Sequence, residues 1–378
     1  MPRYLVASAP STVVKRIAAL ASIRSLCRLR LPAEQFIPAL LDALHRVIAS
    51  ARNLFDFTDA HGNLIRYYFE GPIDHETTRH YFEQFHNRRE AEVMPSFRQA
   101  VTGRSVILSA EAINNPQFFR SALYNEVWRP QGLHSRIEAI VRHDTERPLG
   151  SLVLYRGKDD RPFTRNDEAL LASLVPYVAR ALTLEAVAPT GWADCASGHA
   201  GVVLSARGEL LQASDHALRV LLLADGAITP EAAGRAPRRE DFTSLSRLWQ
   251  KVQADVGAPL HPASLVVENA WGRFVFDAQP LLPIVNRAAS SASVHVSIRQ
   301  QQVAAVALRR ALDSIALSPA QREVAALLYA GRKQAEIAMT LQVAASTIAD
   351  HVKKIYANVD VHSAHEFRVR IDALLGRQ

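Results

Sequence analysis

The sequence predicts two α+β units, each an antiparallel sheet with flanking helices, followed by an all-α module of four helices. Three observations predict this. Short apolar strand-like runs fall in two groups, separated by a break near residues 188–196. Stretches with apolar residues every three or four positions flank both groups. The last sixty or so residues contain only helical periodicity, punctuated by helix caps.

A chain of 378 residues has room for two or three domains. Its 48% hydrophobic content gives ample core material. No run of eighteen apolar residues occurs, so no membrane span is expected. The N-terminus lacks an apolar block leading to a small-residue cleavage site, so the expected location is the cytoplasm. The two cysteines, Cys27 and Cys195, stand far apart and form no metal or redox motif. The net charge of +7 is unevenly placed. Residues 1–33 hold six Lys/Arg and no acid, whereas 317–378 hold eight basic and six acidic side chains. The basic character therefore lies mainly in the N-terminal arm, and global charge says little about nucleic acid.

That arm, residues 1–31, carries Val13, Ile17, Leu20, Ile23 and Cys27 near helical spacing, with Lys15, Arg16, Arg24 and Arg28 around them. It reads either as a basic amphipathic helix for DNA or a membrane surface, or as a helix packed on the first domain or a partner subunit. The second reading is preferred.

The first unit spans 32–188. A helix from Phe36 to Ile48 leads to a hairpin, Asn53–Thr58 and Leu64–Phe69, turning at His61-Gly62-Asn63. Helical or irregular material fills Asp74 to Val127. Strands Ser135–Arg142 and Gly150–Arg156 follow, joined by a polar turn through Asp144 and Pro148. Thr164 and Asp167 form the capping box of a closing helix, which buries Leu170, Leu171, Leu174, Val178 and Leu182. Within the irregular middle, His75-Glu76 and His80 imitate a metalloprotease motif. The two histidines are five residues apart, so on a helix they point about 140° apart. His86 lies roughly 16 Å of helix from His75. No single metal takes all three, and they are expected on the surface.

Pro189-Thr190-Gly191 marks a linker. The second unit, 197–299, opens with strands Val202–Leu204 and Leu210–Ala213. A helix capped by Ser214 stops at Asp225-Gly226, and another covers Leu245–Val256. Strands Ser264–Glu268, Arg273–Ala278 and Val294–Ile298 complete it, while Arg235–Asp241 and Ala288–Ser293 blur the pattern. Residues 300–316 read as a connector helix, with Ala304, Leu308, Ala311, Leu312 and Ile315 forming a seam. That seam can pair with a second subunit or dock on the chain's own second unit.

The C-terminal module, 317–378, begins with Ser318 as a cap, Pro319 at the first helical position and Gln321 closing a capping box. Val324, Leu327 and Leu328 follow, and Gly331 ends the helix. A short helix, Gln334 to Leu341, meets a longer one after the turn Gln342-Val343-Ala344. The longer helix aligns Ile348, Val352, Ile355, Tyr356 and Val359 on one face. Ser363 and Glu366 cap a fourth helix that buries Phe367, Ile371 and Leu374. The arrangement is a helix-turn-helix.

Three resemblances follow from these residues. The run Gly150 to Arg156 and the stretch Pro162-Phe163-Thr164 through Leu182, in their order of elements, resemble a GAF-type sensor domain. Two strands, helices and three further strands resemble a PAS-like domain, without a haem or flavin ligand signature. Leu317-Ser318-Pro319, Arg322-Glu323-Val324, Ala330-Gly331, Glu336-Ile337-Ala338, Leu341, Thr347-Ile348, His351-Val352, Lys354-Ile355-Tyr356 and Val361 resemble the DNA-binding domain of LuxR-type transcription regulators.

The LuxR resemblance implies that the third helix enters the major groove. It implies base-reading positions at Ala349, Asp350 and Lys353, and phosphate-facing positions at Lys333, Gln334, Thr347, His351 and Lys354. Ala349 stands where many members have lysine, and Lys333 and Ala344 replace the usual hydroxyl caps. The GAF resemblance implies a pocket between sheet and irregular middle, with Tyr67, Phe69, Phe119, Tyr124 and Trp128 in its lining. The expected partners are double-stranded DNA, a second copy of the chain and a small-molecule ligand. No cofactor, metal or catalytic residue is expected, because the P-loop, nucleophile-elbow, His-Glu-x-x-His and Cys-x-x-Cys motifs are all missing. The competing reading is a ligand-binding sensor whose C-terminal helices serve protein association.

Overall fold

The computed structural model describes residues 12–70, 75–143, 147–226, 238–253, 260–281 and 293–376. Helix α1 (Thr12–Leu26) buries Ala19, Ile23 and Leu26 and leaves Ile17 exposed. It lies beside α2 (Ala33–Leu44), whose Phe36, Ile37, Leu40, Leu41 and Leu44 all point inward.

The first sheet contains β1 (Arg52–Thr58), β2 (Leu64–Phe69), β3 (Ile107–Leu108), β4 (Ser135–His143) and β5 (Arg147–Arg156), in the order β2-β1-β5-β4-β3. All pairings are antiparallel. Asp144, at the turn expected between the last two long strands, lies outside the described residues, and Pro148 is already part of β5. Side chains alternate along each strand. One set, including Phe55, Ile137, Ala139, Leu152 and Leu154, forms a core with α2 and α7 (Arg165–Thr183). The other set faces a connection of short helices: α3 (His75–His80), α4 (Phe97–Thr102), α5 (Ala110–Ile113) and α6 (Pro116–Arg120), with π-helical turns at Tyr81–Phe85 and Leu123–Trp128. These pieces stay short because Ser96, Ser109 and Asn115 each cap a new start.

Thr164 and Asp167 form the capping box of α7. Asp167 also pairs with the buried Arg156 at 3.3 Å. Arg156 donates to the carbonyls of Ala49 and Pro162 and lies 3.8 Å from the Phe163 ring centroid. The pair is enclosed with its donors occupied, which is the condition for a buried ion pair to persist.

The second sheet repeats the first one's order: β7-β6-β10-β9-β8. Its strands are β6 (Trp192–Ser205), β7 (Leu210–Ala213), β8 (Ala263–Asn269), β9 (Gly272–Leu281) and β10 (Ser293–Val303). Helices α8 (Asp215–Ala224) and α9 (Thr243–Val252) cover one face. Leu204, Phe274, Phe276, Val294, Val296 and Ile298 meet Leu221, Leu245 and Trp249 there. Two strands, helices and three strands occur in the expected order. Strand β6, however, begins ten residues before the expected Val202. Its start, Trp192-Ala193-Asp194, has no apolar run and is held by pairing with Gln301, Gln302 and Val303 of β10.

The same pairing corrects the connector. Residues 300–303 are strand, and the helix, α10, covers only Ala304–Asp313. Its seam docks on the C-terminal module, where Leu308, Leu312 and Ile315 join the core, and Val306, outside the seam, joins the first unit's core. The C-terminal module consists of α11 (Pro319–Tyr329), α12 (Gln334–Leu341), α13 (Ala345–Val359) and α14 (Ala364–Leu375). Its core holds Val324, Ala325, Ile337, Ile348, Val352, Ile355, Phe367 and Ile371.

Asp313 joins the module to the rest of the chain. It accepts a hydrogen bond from Ser22 Oγ (2.6 Å) and pairs with Arg46 (3.3 Å) and Arg322 (3.3 Å). These partners come from α1, the residues after α2, and α11. Arg322 also donates to the Ala18 carbonyl, and Arg28 pairs with Glu323.

Candidate ligand pocket and nucleic-acid interface

The inner face of the first sheet and the connection enclose a cavity of about 110 Å³. Tyr67 and Phe69 on β2 and Trp128 at the end of a π-helical turn line it. Phe119 and Tyr124, expected with them, lie elsewhere, in an outer crevice beside Gly157 and Asp160. Phe119 stacks on His134 at 4.7 Å, and Tyr124 Oη lies 2.8 Å from His134 Nδ1. Aromatic content alone could not separate the two sites.

The pocket also holds polar groups that aromatic counting misses: Asp56, Glu90, Arg136, Glu138, Tyr81 and Tyr155. Strand alternation explains the sheet residues, since Asp56, Arg136, Glu138 and Tyr155 all share the inner face. Glu90 is satisfied by the Asn87 and Phe97 amides and the Tyr81 hydroxyl, at 2.8–2.9 Å. Arg136 Nη2 lies 3.0 Å from Glu138 Oε2, an ion pair by distance but without hydrogen-bond alignment. The Glu138 side chain is only 2% exposed.

Burial and the neighbouring Glu138 charge push the Asp56 carboxyl up to about 8. Burial likewise pushes the Tyr155 hydroxyl up to about 12. Burial by itself would lower the Arg136 guanidinium, but the Glu138 carboxylate reverses this and holds it above its ordinary value.

His86 also lines this pocket, in contrast to its expected surface position. Its ring packs against Phe82 and Phe97, and desolvation lowers its pKa. The continuous helix assumed for His75 to His86 does not form, because the α-helical turns give way to a π-helical one at Tyr81. His80 is separate and bonds Glu126 at 2.7 Å. No cluster of three metal-ligating side chains occurs among the described residues.

In the C-terminal module, α11 ends at Gly331 (φ +81°), where Arg332 N–H bonds Leu327 O and Gly331 N–H bonds Leu328 O. Helix α12 ends in the same pattern with Gln342 in the left-handed position, φ 55°, and this turn sets the angle to α13. Helix α13 buries Ile348, Val352, Ile355 and Val359. Its opposite side exposes Thr347, Ala349, Asp350, Lys353 and Lys354. Lys333 and Gln334 are exposed at the start of α12. Glu336 accepts from the Lys333 amide, so that helix start is capped despite the missing hydroxyl. His351 differs from the rest: it is half-buried, with an enclosed and unpartnered Nδ1.

Residues 316–369 match the family model of bacterial regulatory proteins, luxR family, and residues 32–182 match the GAF domain model. No curated protein matches the chain in sequence. Among solved structures, the phycoerythrobilin-bound GAF domain from a cyanobacterial phytochrome is 15% identical, covers 44% of this chain and 93% of its own, and has a TM-score of 0.30. Escherichia coli SdiA is 12% identical, with 96% of this chain and 98% of its own covered and a TM-score of 0.30. The Vibrio cholera VqmA–ligand–DNA complex is 14% identical, with 48% and 84% covered and a TM-score of 0.23. Likenesses at these TM-scores carry no functional argument. Both matched families are regulatory or sensory. No described helix is long and apolar enough to cross a membrane. Residues 32–182 are thus similar to a GAF domain and residues 316–369 to the bacterial regulatory proteins of the luxR family, within one chain.

Proposed function

We propose that the chain is a cytoplasmic transcription regulator that reads double-stranded DNA as a homodimer and responds to a small molecule held by its GAF domain. The proposed units are an arm at 1–31, the GAF-containing unit at 32–188, a PAS-like unit whose sheet spans 192–303, the connector at 304–316 and the DNA reader at 317–378. The observation that carries this reading is the outer face of α13. Ala349, Asp350 and Lys353 are exposed together on it, on the side opposite the buried stripe. Lysine reaches a guanine edge, an aspartate accepts from a cytosine amine, and alanine leaves room for a thymine methyl. Lys333, Gln334, Thr347 and Lys354 supply phosphate contacts around that face, with His351 set deeper.

Site selection from random duplexes with the purified protein tests this. An enriched palindrome is expected, with affinity falling steeply as salt rises. Lys353→Ala should erode discrimination at one base position by about 1–3 kcal/mol. Lys333→Ala should weaken all sites alike. Absence of any enriched motif, with and without small-molecule probes, would refute the reading. The module's exposed apolar side chains, Met339 (73%) and Val369 (54%), favour a second reading in which these helices serve protein association.

A further inference from the structure

The GAF pocket holds more negative than positive charge. Asp56, Glu90 and Glu138 line it, against the single guanidinium of Arg136. Three donors satisfy Glu90, and its charge belongs to the architecture of the connection. Arg136 lies against Glu138, yet Glu138 Oε2 has no aligned hydrogen bond although its side chain is 98% enclosed. Among the described residues, Asp56 receives one long hydrogen bond, from Ser151 Oγ at 3.5 Å. One carboxylate oxygen without an aligned donor and one weakly held carboxyl therefore share an inner sheet face. A carboxylate oxygen short of an aligned donor is a ready acceptor for a further cation, and a weakly held carboxyl is kept neutral by a proton until a cation takes its place.

The remaining wall is aromatic. Tyr67 and Phe82 lie 5.7 Å apart, and Trp128 and Tyr155 meet edge to face at 5.3 Å. Ring faces attract a cation and provide no anion site. The Arg136 guanidinium already lies 5.5 Å from the Trp128 ring centroid, which leaves Tyr67, Phe82 and Tyr155 as the rings open to a further cation.

Resting on the reading of this pocket as a ligand site, we propose that its ligand is a small organic amine, bound as its ammonium ion between Asp56 and Glu138 with its carbon skeleton against the aromatic wall. A cavity of about 150 Å³ lined by apolar side chains holds benzene. The cavity here is about 110 Å³, so a molecule of one ring or less is the right scale.

The ammonium replaces a proton. Burial and Glu138 raise the Asp56 carboxyl to about 8, so at neutral pH it carries a proton unless a cation lies beside it. The titratable and charged groups that share the pocket with Asp56 are Arg136 and Glu138 on β4, Tyr155 on β5, Tyr67 on β2, and Glu90, Tyr81 and His86 from the connection, with the Ser151 hydroxyl beside it. Amine binding should therefore release a proton from Asp56, and its affinity should rise between pH 6 and pH 8. A neutral ligand has no such requirement.

The test uses the full-length protein and two sets of matched probes: isobutylamine, isobutanol and isobutyrate, then benzylamine, benzyl alcohol and benzoate. Calorimetric titration at pH 6 and pH 8, in buffers of different ionisation enthalpy, reads affinity and proton release together. In at least one set the amine should bind ten-fold or more tightly than the alcohol, with proton release, and the carboxylate should not bind. Glu138→Gln and Asp56→Asn should each remove most of that preference, and the comparison of probes on the unaltered protein stands even if a variant fails to fold. Equal or tighter binding of the alcohol or carboxylate overturns the proposal, as does a preference untouched by Glu138→Gln, or binding by no probe. If the amine binds as expected but DNA affinity does not change, the ligand class stands and the regulatory reading falls. If the alcohol binds better and changes DNA affinity, the reverse holds.

Discussion

The chain contains two five-stranded antiparallel sheets with the same internal order, each unit's second strand at one edge and its third at the other. They use their covered faces differently. In the second, Phe274, Phe276, Val294, Val296 and Ile298 fill the space under α8 and α9, and Ser244 is the only buried polar residue there among those described. In the first, the face toward α2 and α7 has an apolar centre bordered by the buried Asn53, Arg156 and Asp167, and the other face carries Asp56, Arg136 and Glu138 around a cavity. One topology thus serves as a filled core and as a lined pocket. The difference arises from the connection between the second and third long strands, which is lengthened in the first unit into α3–α6 and two π-helical turns.

The largest expected effect tests the filled sheet. Phe276→Ala should cost about 3–5 kcal/mol in urea denaturation, because the two packed layers cannot collapse into the void. A much smaller loss would mean that the second sheet is as loosely filled as the first. The next concerns the pocket. Asp56 has an ordinary value of 3.8 and is raised to about 8 in the fold. Its contribution to stability is therefore complete below about pH 4 and is lost as the pH rises through 8. Asp56→Asn should remove that slope and be more stable than the unaltered protein at pH 8, on the order of a few kcal/mol. Denaturation curves at pH 5 and pH 8 decide it, and parallel losses in both proteins would refute it. The smallest lies outside both sheets. Gln342→Gly should stabilise the C-terminal module by up to about 1 kcal/mol, since a side chain is strained at φ 55° and glycine is not. Thermal denaturation reads it.

Much of this fold was legible in local sequence. The capping pairs Ser318–Gln321 and Thr164–Asp167 announced their helices, and both pairs form. The hairpin strand Leu64–Phe69 has the expected limits. Elements held by long-range pairing were not legible. The first half of β6 reads Ala-Asp-Cys-Ala-Ser-Gly, which has no strand pattern, and only β10 makes it a strand. The two-residue β3 is invisible for the same reason. In the pocket, Tyr67, Phe69 and Trp128 were found by their aromatic character. Asp56, Arg136 and Glu138 were missed, because alternation inside a strand reveals a shared face but not what covers it. His86 was misjudged because a π-helical turn redirects the chain at Tyr81.

Asp313 ties the C-terminal module to the body of the chain. Its three partners fix α11, and with it α13, to α1 and the residues after α2, so the orientation of α13 is set by the body of the chain. For the paired chains proposed above, the distance between half-sites then becomes a property of that body. One inserted base pair rotates a half-site by about a tenth of a helical turn and shifts it by about 3.4 Å. A rigidly aimed helix cannot follow that rotation. If the proposed reading holds, base changes at the edge of the site should cost less affinity than one inserted base pair between half-sites.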